Sequence, residues 1–190
     1  MTPIKFRTIE EAKALTFPKT PKEHIDEARR DFDFVRGANA SRLAKVKRIY
    51  HAADLLASEI SPLAVCQKGC GHCCHIDVGV TEIEAQYIER NTGARKNFGT
   101  SRSSGHGETK TPCPFLSVDH TCSIYEFRPF ACRTYFAFDD PRYCNDNHVT
   151  HVTYDARGNP ILADFARLLL ELNGQGRWRD IRDFFAPVGA

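Results

Sequence analysis

Apolar residues recur at helical spacing in several stretches of this chain. Intervals of three and four residues place Ile25, Ala28, Phe32 and Val35 on one face of a predicted helix over residues 21–36. The same periodicity predicts further helices over 41–60, 81–90, 161–172 and 178–185. Helical regions over 21–60 and 160–185 therefore flank the centre of the chain.

Local start signals and one β-rich stretch complete this pattern. Thr20–Glu23 and Thr81–Glu84 each read as a capping box, in which a threonine is followed three positions later by glutamate. His148–Tyr154 has the composition of a strand, and a turn at 155–159 follows it. The sequence thus predicts a mostly α protein: a single small helical domain over 1–190, with an irregular, loop-rich centre and at most a small β-hairpin.

Residues 92–112 are polar and rich in glycine, serine and basic side chains. This composition predicts a mobile loop within the domain. Two interpretations are open: a basic flap over a site, or a surface insertion that the fold tolerates.

The composition is that of an ordinary soluble protein. Of 190 residues, 42% are apolar and 26% are charged, and no stretch approaches the length of a membrane span. The N-terminal segment lacks the features of a signal peptide, so we expect a cytoplasmic protein with reduced thiols. A formal net charge of +2 gives no support for nucleic-acid binding.

Cysteine density changes this picture. Four of eight cysteines fall within nine residues, and four more follow at wider intervals. In a reducing compartment such clustering indicates metal binding and not disulfides. The predicted metal ligands are Cys66, Cys70, Cys73, Cys74, Cys113, Cys122, Cys132 and Cys144.

Thiolates are soft ligands that hold zinc or iron at about 2.3 Å. Cys70 and Cys73 are separated by two residues, which lets one turn present two sulfurs to one ion. In an extended segment, the vicinal pair Cys73–Cys74 would face two different centres. Eight sulfurs could form two closed zinc sites, and zinc is the cofactor that we prefer. They could instead hold iron, or a [4Fe–4S] cluster with some cysteines left over.

Thiolate charge needs nearby donors and cations, and Arg128, Arg133 and Lys68 are the candidates. His148, four positions after Cys144, has acceptable zinc spacing and is an alternative partner for it. His151 would face away from His148 on a strand, which disfavours a shared ion.

These motifs carry a family resemblance. The order of Cys66-x3-Cys70-x2-Cys73-Cys74, then CPFL at 113–116, then CSIYEFRPFACRTY at 122–135, resembles the YkgJ-like cysteine-cluster family. That family is described as a zinc- or iron-chelating domain with eight cysteines. The resemblance covers about residues 66–144 and implies metal binding by the cysteines.

Three functions are compatible with this reading. The first is a zinc or iron protein whose thiolates form a structural or carrier centre. The second is an iron–sulfur or metal-dependent enzyme that modifies a protein or small molecule, since one branch of similar sequences comprises flagellin lysine N-methylases. The third is a protein-interaction module that metal stabilises. Whether the protein is an enzyme, and which partner it has, stays open at this point.

Overall fold

Helices dominate residues 6–96, 111–145 and 149–185, the part of the chain that the computed structural model describes. The α-helices are α1 (Ile9–Lys13), α2 (Lys22–Gly37), α3 (Arg42–Ala57), α4 (Glu82–Thr92), α5 (Phe130–Thr134), α6 (Pro160–Asn173) and α7 (Ile181–Phe184). Short 3-10 turns lie between them. The mostly α fold class predicted from the sequence is confirmed. A single domain over 1–190 stays a prediction.

Within the described residues, four short strands form two antiparallel pairs. The strands are β1 (Gly79–Thr81), β2 (Phe136–Ala137), β3 (Thr153–Tyr154) and β4 (Trp178–Asp180). β1 pairs with β4, and β2 pairs with β3. The β1–β4 pair joins distant parts of the chain, residues 79–81 and 178–180, and is a long-range clamp. β2 and β3 are consecutive strands, but residues 138–152 lie between them, so they do not form a tight hairpin.

The main core is built around α3. Val46, Ile49 and Leu56 on α3 are fully buried, and they pack with Phe165 of α6 and Ala28 of α2 in one cluster. The apolar faces predicted from periodicity are therefore the buried faces. This helical core supports α4 and α5, which lead into the cysteine-containing segments.

One of the two predicted capping boxes is present. Thr81 accepts a hydrogen bond from the Glu84 backbone N–H, and Glu84 accepts one from the Thr81 backbone N–H. At α2 the prediction is wrong. Pro21 occupies the cap position and no side chain caps the helix, so Thr20 and Glu23 do not form a reciprocal pair. Proline already fixes the backbone at a helix start, which makes a side-chain cap dispensable.

The predicted helix over 178–185 is a strand followed by a helix. Trp178 is 65% exposed, and its ring lies over Gly79 on the partner strand. A Cβ at Gly79 would lie 2.4 Å from Trp178 Cζ2, so only glycine admits this contact. Pairing with β1 thus outweighs the helical pattern, and α7 begins at Ile181.

The predicted strand over His148–Tyr154 is shorter in the structure. Only Thr153 and Tyr154 pair as a strand, with β2. The Val152 N–H instead donates to the Asp139 carboxylate at 2.7 Å, which takes this donor out of the ladder. His148 lies outside the described residues.

Most of the polar loop predicted over 92–112 also lies outside the described residues, because these stop at 96 and resume at 111. The two interpretations of this loop, a basic flap over a site and a surface insertion that the fold tolerates, both stay predictions. None of the described helices has the length and apolar character needed to cross a membrane.

Candidate metal centre

The first cysteine segment begins where the chain leaves the helical core. Val65 N–H donates to Ala137 O at 2.9 Å, and Ala137 N–H points at Cys66 Sγ at 3.4 Å. This exchange fixes Cys66 beside β2. Cys70 follows in a turn closed by its own N–H, which donates to Gln67 O at 3.0 Å.

Cys73 and Cys74 lie in a 3-10 turn over His72–His75 and not in an extended segment. The predicted strand-like alternation, which would turn the two sulfurs towards different centres, is therefore wrong. The Cys73 and Cys74 thiols instead lie close enough to form a hydrogen bond with each other.

The second cysteine segment docks directly on the first. Cys113 N–H donates to Cys74 O at 2.7 Å, which brings the two segments into backbone contact. Cys122 forms an isolated antiparallel bridge with Leu116. A Cβ at Gly71 would lie 2.9 Å from a Leu116 methyl carbon, so glycine permits this close approach.

The last two cysteines are carried by short helical elements. Cys132 lies on α5, and Cys144 lies in a 3-10 turn over Pro141–Asn145. Cys144 is buried in a cluster with Val65, Ala137 and Cys73. All eight predicted ligands are within the described residues, and the structure brings their two segments together.

Three thiols share one side of this centre. Burial raises the pKa of Cys66, Cys70 and Cys144, and the charge of neighbouring thiolates raises it further. For Cys144, whose pKa rises to about 12, these neighbours are Cys73, Cys66 and Cys70. We call Cys66, Cys70 and Cys144 the Cys144 side.

The other side is built around Cys132. Burial raises its pKa, and the charges of Cys73, Cys113 and Cys122 raise it further. Cys74 hydrogen-bonds with Cys113 and Cys73, which raises its own pKa, lowers that of Cys113 and lowers that of Cys73 to about 7. We call Cys74, Cys113, Cys122 and Cys132 the Cys132 side. The charge of Cys73 acts on thiols of both sides.

All eight thiols are free, with no disulfide among them. The donor chemistry therefore fits a zinc or iron centre. Across 6–96, 111–145 and 149–185, however, no three or more His, Cys, Asp or Glu side chains stand ready in an arrangement that could hold an ion. Cysteine sulfurs move between staggered positions about χ1 without moving the backbone, so side-chain rotation would have to complete the coordination.

Arg128 supplies positive charge at the centre. Its charge lowers the pKa of Cys73, and it opposes the burial that raises the pKa of Cys122 and Cys132. The guanidinium lies over the Tyr125 ring at 4.1 Å from the centroid. Its Nε is buried and makes no hydrogen bond with any described residue. The predicted role of Arg128 beside the thiolates therefore agrees with its position.

The other two predicted cations point elsewhere. Arg133 is buried, and it donates to Asp54 at 2.6 Å and to the carbonyl oxygens of Arg128 and Glu126. These bonds hold the backbone that precedes α5. Lys68 is exposed, and its charge acts on Asp119. Arg133 is therefore not placed as a thiolate partner, because these oxygen acceptors take its donors. The same role for Lys68 stays a prediction.

Arg182 on α7 is a support residue that the sequence did not reveal. Its guanidinium donates to the carbonyl oxygens of Cys74 at 2.9 Å, Ile76 at 3.1 Å and Thr111 at 2.7 Å. Asp180 holds the guanidinium from the other side at 2.9 Å and 3.0 Å. One side chain thus ties both cysteine segments to the β1–β4 pair.

We expect Arg182→Ala to lower the free energy of unfolding by about 2 kcal/mol, because it leaves carbonyl oxygens around the centre without a charged donor. Arg157→Ala is the matched control. Arg157 is 92% exposed and pairs only with nearby Asp155 in the described structure, so its loss should change stability little. Urea denaturation of both variants measures the difference, and equal stabilities would contradict the proposed role of Arg182.

Glu84 fixes the position of α5 from within the core. Its carboxylate accepts hydrogen bonds from the Thr81 backbone at 2.9 Å, from Tyr50 Oη at 3.1 Å and from the Phe130 backbone at 2.8 Å. Burial raises the pKa of Glu84, and these donors act against that rise. Because Phe130 begins α5, this network sets where Cys132 stands.

His151 lies against Cys144, which sequence reasoning did not anticipate. Its Nε2 is 3.1 Å from Cys144 Sγ, and its Nδ1 is 2.6 Å from Asp139 Oδ1. The prediction considered His151 only in relation to His148. Asp139 is completely buried, and it was assigned no role from the sequence. The only available signal was an unexplained histidine and acid within the cysteine region.

Two comparisons with known proteins, one with the curated proteins and one with the solved structures, found no match. The comparison with family models found one.

Residues 65–152 match the CxxCxxCC model, described as "Putative zinc- or iron-chelating domain". The match covers less than half of the chain, and it contains all eight cysteines together with Asp139 and His151. Glu84 also lies within the matched residues, whereas Arg182 lies outside them. The spacing here is three residues between Cys66 and Cys70, where the name of the family gives two. The cysteine segment of this chain, 65–152, is therefore similar to the CxxCxxCC family, whose model is described as a zinc- or iron-chelating domain.

Proposed function

We propose that this protein binds zinc through its eight cysteines and uses the ions as a structural or carrier centre. The observation that carries the proposal is the docking of the two cysteine segments, in which Cys113 N–H donates to Cys74 O at 2.7 Å. The free state of all eight thiols supports it. So does the family match, which implies zinc or iron.

The division of the sulfurs favours zinc. Structural zinc takes four ligands in a tetrahedron, and thiolates suit it. The Cys132 side offers four sulfurs, and the Cys144 side offers three with Cys73 beside them. Two closed sites would leave no coordination position for a substrate. In that state the ions would supply folding free energy by joining two separate cysteine segments.

An enzyme would need a substrate site beside the metal. One cavity of about 360 Å³ lies among the first turns of α3 and α4 and the end of α6. Arg42, Glu82 and Asn173 line it, and no cysteine does. This cavity gives no support to a metal-dependent enzyme, so we rank the structural or carrier centre first.

The proposal also concerns the compartment. Eight thiols remain available for metal only where disulfides do not form, as in the cytoplasm. We therefore propose a cytoplasmic protein.

Elemental analysis of anaerobically purified, untagged protein tests the metal. We expect about two zinc ions per chain, because each closed site takes four ligands. Zinc, iron and acid-labile sulfide should be measured on the same sample. Iron with stoichiometric sulfide would instead indicate an iron–sulfur cluster and favour redox or catalytic work. A metal-free protein in which thiol titration finds disulfides would contradict both the proposed metal binding and the proposed compartment.

A further inference from the structure

A buried acid, a histidine and a cysteine lie in line at the edge of the centre. Asp139 Oδ1 is 2.6 Å from His151 Nδ1, and His151 Nε2 is 3.1 Å from Cys144 Sγ. Asp139 is fully buried, and the His151 side chain is only 11% exposed. Apart from each other, Asp139 Oδ1 and His151 Nδ1 have no polar partner among the described residues. Burial at this depth holds the imidazole in one orientation.

The backbone fixes this line at both ends. Asp139 follows β2, and its second oxygen accepts the Val152 N–H at 2.7 Å. Phe138 N–H donates to Val152 O at 3.0 Å. Two hydrogen bonds therefore join the Phe138–Asp139 segment to Val152. The imidazole therefore reaches Cys144 from a rigid support and not from a free loop.

Donor and acceptor roles determine what the imidazole can do. A neutral imidazole with its proton on Nδ1, facing the carboxylate, has only a lone pair on Nε2. Tyr135 also hydrogen-bonds with Cys144. In the metal-free protein, the Cys144 S–H can therefore donate to Nε2. The same Nε2 lone pair, 3.1 Å from Cys144 Sγ, is also placed to bind an ion that the Cys144 thiolate binds.

We propose that His151 Nε2 is a metal ligand beside Cys144, and that Asp139 is the residue that orients it. The assignment rests on the proposed metal-binding function. It supplies a fourth donor to the Cys144 side, which has only three sulfurs of its own, and it leaves Cys73 free to bridge both sides. A carboxylate that holds the second nitrogen of a ligating histidine is a recurrent arrangement in metal sites.

The same three residues could be compared with a Cys–His–Asp catalytic triad. A nucleophilic thiol must be reached by its substrate. Cys144 is 6% exposed and packs against Val65, Ala137 and Cys73. This burial favours a ligand over a nucleophile.

Cadmium substitution tests the assignment, because ¹¹³Cd replaces zinc at thiolate sites and couples to the ¹⁵N nucleus of a bound imidazole. The sample is the untagged full chain labelled with ¹⁵N-histidine and loaded with ¹¹³Cd. We expect the Nε2 resonance of His151, assigned in the native protein, to be split by cadmium. This measurement does not depend on whether a variant folds.

Variants then locate the signal. His151→Ala should lose the splitting, and His24→Ala should keep it, since His24 lies on α2 and its Nδ1 contacts the Ser58 hydroxyl at 3.2 Å. If cadmium binds and the His151 resonance is not split, the ligand assignment is overturned while the metal function stands. If cadmium does not bind at all, the metal function itself fails. A split resonance on another histidine would also overturn the assignment.

Discussion

Cys73→Ser is expected to retain much less zinc than the native protein and to lose several kcal/mol of unfolding free energy. The reason is that metal affinity is linked to folding when the ligands come from separate segments. Cys73 is the most sensitive position because its charge acts on thiols of both sides. Its hydrogen bond with Cys74 also lowers its pKa to about 7, so it ionises most readily at neutral pH. Zinc content and urea denaturation measure the two effects.

Chelation provides the control for this variant. In the metal-free proteins, the native chain and Cys73→Ser should have nearly equal stability, since serine and cysteine differ little in size. A stability difference that persists without metal would mean that Cys73 acts through packing. Unchanged zinc content together with unchanged unfolding would contradict its role as a ligand.

Glu84→Ala is expected to destabilise the fold by about 4 kcal/mol. The substitution leaves four donors, the Thr81 backbone N–H and hydroxyl, the Tyr50 hydroxyl and the Phe130 N–H, without their acceptor. Each buried donor left unpaired costs about 1–3 kcal/mol. We also expect zinc to dissociate faster, because the Phe130 N–H that Glu84 holds is at the start of the helix that carries Cys132. Thermal unfolding and transfer of zinc to a colorimetric chelator would measure these losses.

Two further variants separate the causes. Glu84→Gln keeps the shape, but its amide nitrogen must face a donor, so an intermediate loss is expected. Glu23→Ala removes an exposed acid from the first turn of α2 and should cost only a few tenths of a kcal/mol. If Glu84→Ala were no worse than Glu23→Ala, the buried network would not be what positions α5.

Much of the helical framework could be predicted from local pattern. Ala28 and Val35 are buried where the 3.6-residue period placed them, and so are Leu162 and Phe165 on α6. Thr81 caps α4 as its sequence indicates. These features depend on residues a few positions apart, which a sequence displays directly.

The clamps between distant segments could not be predicted in this way. Val78 N–H donates to Asp180 across a separation of 102 positions, and β1 and β4 pair at the same place. Three-residue strands are too short to show an alternating pattern. Trp178 also mimics a helical core position, although its ring rests on Gly79 and remains largely exposed.

The residues of the candidate site also differ in whether the sequence predicts them. Clustered cysteines are conspicuous in sequence, and so the candidate ligands could be named. Their supporting partners have no such signal, because Arg182 and Asp139 are ordinary charged residues until the fold brings them to Cys74 and His151. Arg133, which looked equally suited to a thiolate, is drawn to Asp54 instead.

The positions of Arg182 and β4 near the end of the chain also set an order of events during synthesis of the protein. Translation proceeds from the N-terminus, so every cysteine is made before Arg182. At about 5–20 residues per second, the thiols of the first cysteine segment wait for roughly 5–25 seconds before the strand that pairs with β1 is made. During that interval they meet oxidants and competing ions without the clamp that later joins their two segments. A cell that makes this chain therefore has to keep the emerging sulfurs reduced until the closing strand arrives.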